Sequence, residues 1–470
     1  MSAYTTKDLP VVVIGAGPVG LAAAAHLLER GLEPLVLEAG DHPAAAVRDW
    51  GHVRLFSPWE YDVDDAAVRL LEQTGWESPD RTALPTGAEL VERYLAPLAA
   101  TPQLAGRIRT GTRVVAVSRA GVDKTRTVGR EGRAYVVRTV VDGRVQDVTA
   151  RAVVDASGTW GQRNPLGAAG LPAIGEEQAG DWLVGPLPDV LGRDRARFAG
   201  KHTVVVGMGH SAANTLLALV ELQQREPGTR ISWTIRGRSP ARLYGGGDSD
   251  GLPARGLLGS TLKAAVQAGH VELHREVTWT ELAPTGNGRL RLLGTGRDGA
   301  PLELVVDAVA AATGFRPDLD VLREVRLDLD PALEAPARLA PLIDPNSHSC
   351  GTVPPHGHRD LAHPDEGFYL VGMKSYGRAP TFLLATGYEQ VRSIAAALAG
   401  DTEAADSVQL HLPSTGVCST DLGARETAES AGVGFATGRA HGWSAEEPAA
   451  VSCCGAAPQP VGSGASSSDR

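Results

Sequence analysis

The chain has 470 residues, 43% of them hydrophobic, with 45 Lys and Arg against 55 Asp and Glu for a formal net charge of −10. That length allows two or three domains and a large buried core, while the acidic balance and an aromatic content of only 5% leave a nucleic-acid partner without support. No apolar run reaches the ~20 residues of a membrane span. The first apolar run is a strand pattern with no basic-then-apolar signal segment ahead of it, so a cytoplasmic protein with no membrane partner is expected.

In chain order, the β-branched run Val11 to Ile14 predicts a strand, and Gly15-Ala16-Gly17-Pro18-Val19-Gly20 leads from it into an Ala/Leu-rich helix, Leu21 to Arg30, that stops at Gly31. This is a dinucleotide-binding fingerprint in its proper setting. Gly15 permits the tight turn, Gly17 lets backbone approach a pyrophosphate, and Gly20 lets helix and strand pack closely, with the helix N-terminus facing the phosphate charge. A second strand, Pro34 to Leu37, delivers Glu38 about 20 residues on, where a carboxylate accepts from ribose hydroxyls and repels a 2′-phosphate. The first site therefore suits FAD or NAD.

Next come Trp50-Gly-His-Val-Arg-Leu-Phe-Ser-Pro-Trp59, read as facing substrate, and the alternating strand Arg113 to Val117. Val153-Val-Asp-Ala-Ser-Gly158 is a strand ending in small residues, which permit close backbone approach to a cofactor. A second fingerprint, Gly207-Met-Gly209-His210-Ser211-Ala212, follows the strand Thr203 to Val206, with alanine at its third glycine position. The strand after its helix, Ile231 to Ile235, ends in Arg236-Gly-Arg238 with no acidic residue. Guanidinium forks match a phosphate dianion, which favours NADPH. The plain alternative is two surface arginines in an Arg-rich protein. Val305-Val-Asp-Ala then echoes Val153-Val-Asp-Ala and runs on to Gly314, pointing to two duplicated nucleotide-binding domains. The strand Gly367 to Gly372 and helix Ala385 to Leu398 return the chain to the first. The expected fold is α/β with two Rossmann-like domains: FAD on 1–165 and 320–400, NAD(P)H on 166–319, and a cysteine-bearing tail, 401–470, that is expected to be flexible.

The stretch His348-Ser-Cys350 to His363 gathers imidazoles and a thiol but fits no tight metal template. It reads as a rigid loop lining the flavin pocket, with Cys350 and His348 as candidate catalytic groups. In the tail, Cys418 and the vicinal pair Cys453-Cys454 are candidate thiol ligands for a soft metalloid, or an accident of a poorly constrained segment. No Walker loop or nucleophile elbow is present, so kinase and hydrolase readings fall away.

On these motifs the chain resembles the two-dinucleotide flavoproteins, a group that includes flavin-containing monooxygenases and thioredoxin-reductase-like enzymes. Asp155-Ala-Ser-Gly-Thr-Trp160, Gly207-Met-Gly-His-Ser-Ala-Ala-Asn214 and Gly372-Met-Lys-Ser-Tyr-Gly-Arg-Ala-Pro-Thr-Phe382, with the cysteine tail, are similar to the flavin-binding monooxygenase-like proteins of bacterial arsenic-resistance operons. The resemblance implies FAD on Gly15, Gly17, Pro18, Gly20 and Glu38, with further contacts near Val114, Gly158, Gly372 and Met373. It implies NADPH on Gly207, Gly209, His210, Ser211, Arg236 and Arg238, and Gly314, where the echo ends, is a further candidate cofactor contact. It also implies a small-molecule substrate and O2. Two departures stand out. No cysteine precedes Cys350, which excludes a flavin-to-disulfide relay through a pair near or between the fingerprints, and Phe198-Ala-Gly-Lys-His202 is only an echo of the monooxygenase linking segment. Monooxygenase, reductase or oxidase, and a metalloid-binding flavin thiol protein remain as readings; the oligomeric state, a homodimer included, stays open.

Overall fold

The computed structural model describes residues 8–245, 250, 252–345, 353–379 and 383–410. The strand Val11–Ile14 is buried along its whole length, and its side chains divide between two cores: Val11 and Val13 on one face, Val12 and Ile14 on the other. Burial on both faces abolishes the polar alternation of a half-exposed strand, which is why this segment reads as an unbroken apolar run. It pairs in parallel with Pro34–Leu37 and Ala152–Asp155; Phe368–Leu370 and Ile108–Arg109 form the two edges of a five-stranded parallel sheet. The helix Pro18–Glu29 lies between this sheet and the helix Leu384–Ala399. Ala22, Ala23, Ala24 and Ala25 are all buried there, since only methyl groups fit so close an approach on both sides.

A second five-stranded parallel sheet has the order Glu272–His274, Arg230–Thr234, His202–Val206, Ala308–Ala311, Leu183–Val184. Each half also carries a three-stranded antiparallel sheet inserted before its third long parallel strand: Thr112–Arg119, Tyr135–Val141 and Arg144–Ala150 in one, Thr278–Pro284, Leu290–Thr295 and Pro301–Val306 in the other. The halves thus share an architecture, but the sequence echo is out of register. Val153, Val154 and Asp155 lie in the parallel sheet, whereas Val305 and Val306 finish an antiparallel strand and Asp307 precedes Ala308–Ala311. The true equivalence is Ala156-Ser157-Gly158 with Ala312-Thr313-Gly314, because Ala156 and Ala312 each face the first glycine of a fingerprint.

Two paired linkers join the halves. The amide of Asn164 donates to the Gly314 carbonyl at 2.9 Å, that of Arg316 to Gln162 at 2.9 Å, and Arg163 and Phe315 form an antiparallel bridge. At the far end Gly400 caps the last long helix in the left-handed region, φ +85°. The chain stays packed beyond the composition change there, for Thr402–Asp406 forms a short helix and Ser393 Oγ donates to the Ala405 carbonyl.

The return of the chain into the first sheet is anchored by a buried guanidinium. Arg130 forks onto both carboxylate oxygens of Asp365 at 2.7 Å and donates to the carbonyls of Asp123 and Glu324, tying three distant segments just before Phe368. Arg119 covers the Tyr135 ring beside it, 3.7 Å from the ring centre. Replacing Arg130 by Met strands much of the Asp365 charge in a buried site, and urea unfolding is expected to show a loss of about 3 kcal/mol.

Candidate functional site

Both fingerprints sit at carboxyl ends of central parallel strands, where open α/β sheets bind ligands. Gly15 adopts φ +97°, and a side chain there would begin 2.8 Å from the Ala156 carbonyl oxygen; at Gly20 it would begin 2.0 Å from the Gly15 carbonyl oxygen. Gly17 is different. Nothing lies within 4 Å of where its Cβ would stand. Gly15 and Gly20 therefore serve the protein's own packing, while Gly17, as N-cap of a helix with Pro18 at its first position, opens onto a space that a side chain would fill.

The second copy repeats this division. Gly207, φ +133°, faces the Ala312 carbonyl oxygen at 2.0 Å from a hypothetical Cβ, whereas Gly209, the N-cap of His210–Arg225, has open space. Ala212 is fully buried, so this turn admits the methyl group that Gly20 lacks. His210 and Ser211 open the helix and are half-buried. His210 has its pKa pushed down to about 4, by burial first and by Arg255 second, so it is neutral at pH 7. Its ring lies 5.1 Å from that of Phe56, which places the segment read as substrate-facing against the second fingerprint. A further link is Asp49, which accepts from Trp160 Nε1 at 2.9 Å and, through its carbonyl, from Arg193.

The acidic and basic markers also differ. Glu38 clasps the first turn, with one carboxylate oxygen accepting from the Ala16 amide at 2.7 Å and the other from Gly40 at 2.8 Å. Each oxygen retains a lone pair for a further donor. Arg236 is exposed and makes no hydrogen bond or ion pair among the described residues. Burial of part of its guanidinium environment, and then the nearby Arg378, lower its pKa although the side chain reaches solvent. Arg238 is also exposed, but its Nε donates to Glu276 at 2.8 Å. The segment itself carries no acidic residue, but the fold brings Glu276 to Arg238, and of the two arginines only Arg236 is uncommitted among the described residues.

Of the other expected contacts, Val114 is half-buried at the start of its antiparallel sheet, next to the backbone pairing of Thr112 with Glu38. Gly158 and Gly314 take the same left-handed turn, φ +66° and +83°. Gly372, φ +63°, sits against Val19 of the first helix, with Met373 half-buried beside it. His348, Cys350, Cys418, Cys453 and Cys454 lie outside the described residues.

The histidines of the loop expected to line the pocket are dispersed. His356 donates from Nδ1 to the Pro354 carbonyl and accepts at Nε2 from Gln390, and burial lowers its pKa; with both nitrogens committed it does not shuttle protons. His358 shares Asp406 with Arg359, and His363 accepts from the Asp328 amide. Among the described residues no group of three His, Cys, Asp or Glu is arranged to hold a metal ion.

Two features had no part in the sequence reading. Gln390 organises the turn Gly372–Tyr376 by accepting from the Gly372 amide at 2.8 Å and donating to Ser375 Oγ at 3.0 Å. Asp62 is fully buried. Ser57 Oγ donates to one of its oxygens at 2.8 Å, its other oxygen has no hydrogen-bond partner among the described residues, and burial pushes its pKa up to about 7. The polar residues amid the apolar ends of these segments were the only sequence signal, and they do not identify partners.

Two open glycine cradles at helix N-termini, on two similar sheets joined by paired linkers, define a protein with two dinucleotide-binding folds. The family model described as pyridine nucleotide-disulphide oxidoreductase matches residues 12–338, and the chain belongs to that family. It is a flavoprotein oxidoreductase with FAD and NADP(H) as cofactors. A ferredoxin–NADP reductase of Ralstonia nicotianae is 29% identical over 280 residues, which span 58% of this chain and 61% of that protein. Among solved structures, the bacillithiol disulfide reductase Bdr of Bacillus cereus is 22% identical with a TM-score of 0.60, covering 83% of this chain and 99% of its own. DfoA, the desferrioxamine-pathway cadaverine monooxygenase of Erwinia amylovora, is 15% identical with a TM-score of 0.58, covering 87% and 98%. These structural likenesses concern the fold. No helix among the described residues is long and apolar enough to cross a membrane.

Gly17→Val is expected to leave the thermal stability of the apoprotein within about 0.5 kcal/mol of wild type, as for an open surface position, while abolishing flavin retention. Gly20→Val should instead fail to fold, because it collides with the backbone of Gly15. For Asp62 the folded pKa lies above the unfolded value of about 3.9, so its contribution to stability is complete below that value and is lost as pH rises through about 7. The slope is at most about 1.4 kcal/mol per pH unit. Asp62→Asn should flatten the melting temperature between these limits; an unchanged pH profile would count against a protonated Asp62.

Proposed function

We propose that FAD occupies the first cradle, on residues 1–165 and 320–400, that NADPH occupies the second, on 166–319, and that electrons pass from NADPH through the flavin to O2 and a small-molecule substrate. The observation that carries this reading is the pairing of the two open glycines with opposite markers: Glu38 beside Gly17, and the uncommitted Arg236 at the end of the strand beside Gly209. A carboxylate favours a ribose and repels a 2′-phosphate, and a guanidinium does the reverse. The flavin supplies the redox chemistry; the protein binds and orients it. Gly15, Gly20 and Glu38 shape the first turn, and neutral His210 and Ser211 present donors at the second helix N-terminus.

Monooxygenation of a small molecule is the first reading, on the motifs that resemble flavin-binding monooxygenase-like proteins and on the likeness to a cadaverine monooxygenase. A reductase or oxidase without oxygen insertion is the second, favoured by the ferredoxin–NADP reductase relative. A relay through a cysteine pair near the fingerprints has no residues to run on, since no cysteine precedes Cys350. Rapid mixing of NADPH-reduced protein with oxygen separates the two. A distinct absorbing species that outlasts the mixing, before the oxidised spectrum returns, indicates a monooxygenase; direct return of that spectrum indicates the second reading.

The link to arsenic belongs to the same proposal and rests on the tail thiols, because thiolates are soft ligands and trivalent arsenic takes sulfur. Replacing Cys418, Cys453 and Cys454 by Ser should abolish arsenite binding in a thiol titration; an unchanged titration removes that link.

Cofactor choice gives a sharper expectation. Arg236→Ala should raise the KM for NADPH by about tenfold, the scale of one lost charge-assisted contact, with little change for NADH. Arg238→Ala should have a smaller effect, because its guanidinium is already held by Glu276. Equal losses with both nucleotides would remove Arg236 from the phosphate site.

A further inference from the structure

Lys374 is 1% exposed and stands in the turn Gly372–Tyr376, directly after the buried strand Phe368–Leu370. Its ammonium donates to Asp155 Oδ2 at 2.7 Å and to Ser157 Oγ at 3.1 Å, and Asp155 is fully buried. The remaining oxygen of Asp155 accepts from the Ser157 amide at 3.1 Å and from Ser157 Oγ at 2.6 Å. The carboxylate is thus well satisfied. The ammonium is not, for its third proton has no acceptor among the described residues.

The placement of this pair explains more than its energy does. Asp155 ends the strand that pairs with Val11–Ile14, opposite Ile14, and the next carbonyl, that of Ala156, is the one that faces Gly15. Lys374 lies two residues after Gly372, which packs on Val19 in the first turn of the first helix. One ion pair therefore joins the two segments that hold the strand end and the helix start of the first cradle. A buried ion pair is a poor source of stability, since well-packed apolar residues of similar size do as well or better. A buried ammonium with an uncommitted proton, bonded to Ser157 next to the Gly15 turn, has a use there that an apolar pair lacks.

We propose that Lys374 is a positioning residue for the flavin of FAD, locking the segments 155–158 and 372–376 around the first cradle and supplying the positive charge that favours the reduced flavin. This rests on the assignment of FAD to that cradle. Asp155 holds the ammonium in place and offsets part of its charge. The two residues act on the flavin with opposite sign, because reduction adds negative charge, which a nearby cation stabilises and a nearby anion destabilises.

Three variants test it, each prepared as apoprotein and titrated with FAD by flavin fluorescence, with the flavin midpoint potential and melting temperature measured alongside. Lys374→Met is expected to weaken FAD binding at least about tenfold, which corresponds to about 1.4 kcal/mol, and to lower the midpoint potential. Asp155→Asn should raise the potential. The double variant Lys374→Met with Asp155→Leu should recover the melting temperature of wild type while its FAD affinity stays weak. If Lys374→Met does not fold, Asp155→Asn and the double variant carry the test. Wild-type FAD affinity in the double variant, or single variants that shift the potential in the same direction or not at all, overturns the proposal. Apoprotein of wild-type sequence that takes up no FAD would instead overturn the assignment of the cradle.

Discussion

Two backbone carbonyls, those of Ala156 and Ala312, stand where side chains would begin at Gly15 and Gly207. This close approach is the constraint on which the rest of the molecule depends. A strand can turn into a helix that lies back across its own sheet only if the turn clears the neighbouring strand, and here the clearance leaves no room for a Cβ. Because the turn is tight, the helix N-terminus points outward over the strand ends, and the next glycine, Gly17 or Gly209, is left facing open space. One steric condition, met twice, produces both candidate nucleotide sites.

The polar groups around the first site are arranged as a closed network. Gln390 ties the Gly372 amide to Ser375 and His356, whose second nitrogen is bound to Pro354, while Lys374 reaches across to Asp155 and Ser157. Buried polar groups are costly unless paired, so a network satisfied at almost every atom specifies one arrangement of the turn. The exception carries the most information: the third proton of Lys374, which has no acceptor among the described residues. Unfilled hydrogen-bonding capacity beside a cradle of this shape is what a bound partner would use.

Membership of the pyridine nucleotide-disulphide oxidoreductase family fixes the class of chemistry and leaves the electron acceptor open. The chain keeps the two nucleotide folds and has no thiol before Cys350. That removes a cysteine pair near the fingerprints as acceptor, and fold likeness, which embraces a disulfide reductase and a monooxygenase at once, does not choose among the others. The segment Trp50 to Trp59, read from the sequence as facing substrate, is brought against His210 of the other half through Phe56.

Local pattern alone determined the strands Val11–Ile14 and Pro34–Leu37 and the helices after both fingerprints, because an apolar run and a helix start are governed by neighbours in the chain. Tertiary structure decided what depends on partners distant in sequence. It set the register of the internal repeat, where the Val-Val-Asp echo misaligned the halves by following chemistry that is buried for different reasons in different sheets. It brought Glu276 to Arg238 and left Arg236 uncommitted. It paired Lys374 with Asp155 across 219 positions. An isolated lysine or aspartate in a sequence says only that a charge must be satisfied. Which charge satisfies it is settled by the packing that removes water from both.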